Sequence, residues 1–160
     1  MHDLITLQEA AQRTGNNPST LRGWILKDVI PGAVEIESRG KAGGRRGYYP
    51  TTIIPEIETA KRLQEAGLTL ETIARARTLA LELMAEPEHI AGAEAIAKTG
   101  PAARQWLTMY SEITGDPVAR EALRRLEAEF TAFLTLFVRN LRENMSDVIG
   151  QIVVENPNNI

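Results

Sequence analysis

The chain has 160 residues, 43% of them apolar and only 5% aromatic, with a formal charge of −3. That length supports one domain or two small ones around a mainly aliphatic core. The absence of cysteine excludes disulfides and thiolate metal sites, and with His2 and His89 as the only histidines a multi-histidine metal centre is not expected.

Charge is unevenly divided. Residues 1–80 hold 11 Lys/Arg against 9 Asp/Glu, whereas residues 81–160 hold 7 against 12. A basic first half and an acidic second half fit a polyanion-binding module joined to something else. The N-terminal MHDLITLQEA lacks a cationic flank followed by an apolar run, so it is not read as a secretory signal. The longest strongly apolar patch, Phe130 to Val138, is far too short to span a bilayer. The expectation is a soluble, cytoplasmic protein without membrane association.

In chain order, Thr6-Leu7-Gln8-Glu9 is a capping box. Leu7, Ala10 and Ala11 give the short helix that follows an apolar face, and Gly15 suits its left-handed end. A second helix opens at once, with Asn17 as N-cap and Pro18 in the first helical position. Leu21, Trp24 and Ile25 should face inward at i, i+3, i+4 spacing, leaving Ser19, Arg22 and Gly23 outward. Two short helices and a tight turn make a helix-turn-helix, whose second helix enters the DNA major groove.

Pro31 and Gly32 close that unit. Ala33 to Glu37 alternates apolar and polar residues and is predicted as a strand. SRGKAGGRRGYY, residues 38–49, then places Arg39, Lys41, Arg45 and Arg46 among four glycines with no acid. A hairpin with a flexible tip is predicted, its arginines lying along a phosphate backbone; a solvated surface loop is the alternative. GxxxxGK[ST] is absent, so no P-loop is expected. A third helix is predicted over Ile53 to Ala66, with Pro55 in its first turn and Gly67 after its end. Thr69 caps a fourth, running through Leu70, Ile73, Ala74 and Arg77 to about Met84.

Residues 4–77 resemble the DNA-binding domain of the MerR family. Thr20-Leu21-Arg22 with Trp24 is similar to its recognition-helix signature. Val29-Ile30-Pro31 stands at its Leu-Leu-Pro, and Arg46-Gly47-Tyr48-Tyr49 at its wing end. Gly67-Leu68-Thr69-Leu70-Glu71-Thr72-Ile73 resembles its Gly-Phe-Ser-Leu-Glu-Glu-Ile. The resemblance implies a winged helix-turn-helix in a homodimer that binds double-stranded DNA at palindromic operators. It also implies DNA contacts by Arg22 and, in the wing, by Arg46 and Tyr49. Gly23 stands where an aromatic is usual, and Ile25 and Leu26 where charges are usual. Leu26 is therefore either covered by another element or an exposed apolar residue. The stretch through Pro31-Gly32-Ala33 also resembles excisionase-type relatives. The family's metal-sensing branch needs cysteines, which this chain lacks.

From Pro87 onward no family is resembled. Glu88 to Lys98 reads as a short helix stopped by Gly100, and Pro101 to Ile113 as another, with Trp106, Leu107 and Tyr110 on one side. Gly115 ends it. Asp116 caps, and Pro117 opens, the longest helix. Its apolar residues Leu123, Leu126, Phe130, Phe133, Phe137, Leu141, Met145, Val148 and Ile152 cover 29 residues in eight steps, which suits a straight helix. Leu126, Phe130, Phe133, Phe137 and Leu141 are expected to form a dimer interface, with core packing in a small bundle as the alternative. Trp106, Tyr110 and the phenylalanines could equally line an apolar pocket for a small-molecule effector or form a core.

The fold expected is mostly α: a winged helix-turn-helix with a small β-hairpin wing over residues 1–84, then an all-helical part over residues 85–160 ending in a long helix. The function expected is a homodimeric, sequence-specific transcriptional regulator. Ser19, Thr20 and Arg22 would read bases, and Arg39, Lys41, Arg45, Arg46 and Tyr49 would hold phosphates. A DNA-organising factor for partition, excision or a viral accessory role is the alternative. No cofactor and no enzymatic activity are expected.

Overall fold

The computed structural model describes residues 3–86, 88 and 91–155. Pro87 and both histidines lie outside the described residues. Three strands form a small antiparallel sheet in the order β1-β3-β2, where β1 is Leu4–Thr6, β2 Glu35–Ser38 and β3 Arg45–Pro50. β3 is central because Ile5 pairs with Tyr49 on one side and Ile36 with Gly47 on the other.

The helices begin and end largely where capping chemistry places them. In α1 (Leu7–Thr14) the Thr6 hydroxyl accepts from the Glu9 N–H at 3.2 Å, and Gly15 ends the helix at φ 68°. In α2 (Pro18–Leu26) the Asn17 Oδ1 accepts from the Ser19 N–H at 2.9 Å. A one-turn helix, α3 (Gly40–Gly43), occupies the tip between β2 and β3. Then come α4 (Ile53–Glu65) and α5 (Leu70–Ala85), the latter capped by Thr69. After α6 (Ala93–Lys98) and α7 (Gly100–Thr114), Asp116 caps α8 (Pro117–Glu155) through the Val118 N–H at 2.9 Å. At 1.5 Å per residue, the 39 residues of α8 span about 58 Å.

Several expectations are corrected. The strand β1 is additional to those predicted, and β2 starts at Glu35 rather than Ala33. The alternation there does not mark a buried face, since Val34 and Ile36 are 59% and 64% exposed. The wing tip is a helical turn rather than an open loop. The helix predicted from Glu88 starts only at Ala93, and Gly100 opens α7 instead of merely stopping α6.

α7 packs against α4, α5 and α8, and its Trp106 and Leu107 are fully buried in one core with Leu63, Ile73 and Leu83. An ion pair sits inside this packing. Arg77 Nε, on α5, donates to Glu56 Oε1, on α4, at 3.1 Å, and the two side chains are only 14% and 7% exposed. Arg77 Nη1 also donates to the backbone carbonyl of Asp28, at 3.5 Å, in the turn after α2. One side chain thereby ties the helix-turn-helix to α4 and α5. No helix among the described residues is long and apolar enough to cross a membrane.

Candidate nucleic-acid interface

α2 is amphipathic in a useful way. Leu21 and Trp24 are buried, at 0% and 4% exposure, and Ile25 is half-buried against the same core. Ser19 and Arg22 are exposed, as expected, as is Thr20, while Gly23 is half-buried. Leu26 is the more notable residue of this helix. It is 85% exposed, which decides between the two readings open for it in favour of an uncovered apolar side chain.

The wing is β2 and β3 with α3 between them. The Arg39 N–H donates to the Gly44 carbonyl at 2.8 Å, closing the tip. Gly44 adopts φ 66° and ψ −152°, a conformation open essentially to glycine alone. The strand register sets Glu37 across from Arg46 and Ser38 across from Arg45. The Tyr48 hydroxyl donates to Glu37 Oε2 at 2.6 Å, so this carboxylate lies on the same sheet face as Arg46. That hydrogen bond raises the phenol's pKa, and Arg46 nearby pulls it down.

Between α2 and the wing lies a cleft of about 320 Å³. Arg22 enters it from α2, and Arg39, Arg45 and Arg46 enter from the wing; Thr6 and Gln8 at the start of α1 complete the wall. No carboxylate lines it. Elsewhere Arg75, Arg77, Arg104, Arg124 and Arg139 are each paired with a glutamate. Among the described residues none of the four cleft arginines forms a salt bridge. Arginines of α2 and the wing around one concave surface, none of them in a salt bridge among the described residues, make it cationic and suited to phosphate, with Arg46 on the strand face it shares with Tyr48 and Glu37.

The fold thus gathers Arg22, Arg39, Arg45 and Arg46, which are spread over 25 residues of sequence. Lys41 lies in α3, and its side chain is outside the described residues. Tyr49 needs correction as a surface contact. Its ring is part of the core at 9% exposure, forming the floor of the cleft, and burial raises its phenol pKa while Arg22 lowers it. Gln8 and Thr6 were not foreseen as cleft residues. The capping box marks where α1 begins, but only the pairing of β1 with β3 brings that turn beside the wing.

The residues expected on a dimer surface separate into three groups. Leu126 is fully buried within the chain, so it belongs to the intrachain core and cannot meet a partner. Phe130 and Phe133 are half-buried against that core, while Phe137 and Leu141 are 52% and 47% exposed. Beyond the body, Leu134, Val138, Leu141, Met145, Val148 and Ile152 are each between 47% and 63% exposed. Their spacing alternates between four and three residues, the 3.5 repeat of a coiled-coil seam. The straight-helix average expected for the whole of α8 conceals this change, because its first half packs as core. Trp106 and Tyr110, stacked at 4.7 Å, are buried in the core. An open apolar groove of about 400 Å³ lies instead beside Phe130, walled by Leu63 and Ala66 of the α4 end and by Pro101, Arg104 and Met109 of α7.

Residues 5–78 match the model of the MerR HTH family of regulatory proteins. A crystal structure from Listeria monocytogenes, described as that of a MerR family transcriptional regulator, aligns over 92% of this chain and 98% of its own, at 20% identity and a TM-score of 0.40. No curated protein gives a significant match.

Proposed function

Taking as premise that residues 5–78 are a MerR-type helix-turn-helix domain, we propose that the chain is a homodimeric regulator of transcription that binds a specific double-stranded DNA site. The head, residues 1–84, binds DNA; residues 85–160 dimerise it. The observation that carries this reading is the cleft lined by Arg22 of α2 and by Arg39, Arg45 and Arg46 of the wing, with no carboxylate in its lining. A helix in the major groove beside a wing on the phosphates needs that juxtaposition. In this reading Ser19, Thr20 and Arg22 meet bases, and the wing arginines hold the backbone. The second copy pairs along the exposed apolar seam from Leu134 to Ile152. A small-molecule effector would enter the groove beside Phe130, which joins α4 to α8. No chemical step is assigned.

Salt dependence tests the central claim. Each phosphate contact contributes about −0.9 to the slope of log K against log[salt]. Neutralising Arg45 and Arg46 together removes up to four contacts in a dimer and should flatten the slope by roughly three to four units, equally on specific and scrambled DNA. An unchanged slope on both DNAs would refute phosphate binding by the wing. A discrete two-fold footprint supports regulation, and a spreading one supports a DNA-organising role.

A further inference from the structure

Ser19, Arg22, Gly23 and Leu26 stand at i, i+3, i+4 and i+7, so they form a single face of α2. Leu21 and Trp24 occupy the opposite, buried face. On this outward face Leu26 is 85% exposed, the most exposed of the large apolar residues among those described. Gly23 beside it has no atom of another element within 4 Å of where a side chain would begin. An apolar residue displayed one helical turn beyond Arg22, a residue of the cationic cleft, suits an apolar feature on a polyanion. The major groove offers one: the C5-methyl group of thymine.

We propose that Leu26 is a specificity-determining residue that packs against a thymine methyl in the major groove, with Gly23 letting the helix backbone approach closely enough for that contact. The inference rests on the DNA-binding reading. The occupant is fixed by complementarity: the same face carries Arg22, whose guanidinium lines the cationic cleft. Leu26 lies four residues beyond Arg22, about 6 Å along the helix axis. At 3.4 Å per base pair, the thymine falls about two steps from the position that Arg22 meets.

The experiment uses the full chain and DNA selected from a random pool. Each thymine of the selected half-site is replaced singly by deoxyuridine, which keeps base pairing and removes only the methyl. Wild-type protein should lose about fourfold in affinity at one or two positions, as expected for one buried methyl group. Leu26→Ala should lose a similar factor on the thymine DNA and no longer distinguish thymine from deoxyuridine there. Because Leu26 is exposed, its thermal unfolding should match wild type. Wild-type affinity unaffected by every deoxyuridine, or discrimination retained by Leu26→Ala, overturns the proposal. A variant that changes only oligomeric state or binding cooperativity assigns Leu26 to a protein contact and overturns it too. Failure of the wild type to enrich or bind any DNA refutes the underlying DNA-binding reading, a result separable from the others.

Discussion

Glu56 is a carboxylic acid that folding weakens. Burial raises its pKa, and the opposing pull of Arg77 is the smaller effect. The folded chain therefore holds this proton more tightly than the unfolded chain does, and protonation favours the fold. That contribution is complete below the ordinary value of about 4.5 and is lost as pH rises through the raised folded value. Glu56→Gln removes the titration while keeping the shape. The difference in unfolding free energy, wild type minus variant, should thus fall with rising pH from about 4.5 and then level off. A difference that instead rises with pH below about 4.5 and stays flat above it would mean that the ion pair outweighs burial. At the same scale, Arg22 is exposed and unpaired, so Arg22→Ala should leave thermal unfolding unchanged. It should weaken binding to the selected site by about 1–3 kcal/mol per lost bidentate base contact. Unchanged site preference in a competition assay would remove Arg22 from the bases.

Elements were legible where their signals are local. Thr6, Asn17, Thr69 and Asp116 each cap a helix through a hydrogen bond made within three residues, and so can be read from the sequence directly. β1 was not legible, because three residues become a strand only by pairing with Tyr48, Tyr49 and Pro50, far along the chain. Nor was the burial of Tyr49 or the Glu56–Arg77 pair, since both arise from packing between distant segments. In the site, the four arginines were nameable from composition, but their convergence on one cleft depends on the sheet. α8 shows the same limit, for its apolar residues were evident while the division between core and exposed seam was not. That division moves the test of dimerisation beyond Leu126. Leu141→Glu places an unpaired charge on the seam at a residue that is 47% exposed in the single chain, so the fold should survive. Sedimentation should show a folded monomer with weakened operator binding. A variant that stays dimeric would place the interface elsewhere.

At the scale of the whole molecule, α8 is one uninterrupted element: Leu126 is locked in the core, and Leu134 through Ile152 face outward. A continuous helix transmits angle as faithfully as it transmits distance. In the proposed dimer it would act as a protractor between the head and the seam, fixing the direction in which each head is presented relative to the other. Adding length without adding rotation should be tolerated better than the reverse. Seven residues inserted after Thr131 extend the arm by about 10 Å and turn the seam by only about 20°. Two residues extend it by about 3 Å but turn the seam by roughly 200°. The first variant should remain dimeric and prefer a DNA site with altered half-site spacing, as read by selection from a random pool. The second should still dimerise through its seam yet present its two heads out of phase, losing two-site binding while each head keeps its own. Equal behaviour of the two variants would show that the heads turn freely about the helix, and that the molecule measures separation on DNA without measuring orientation.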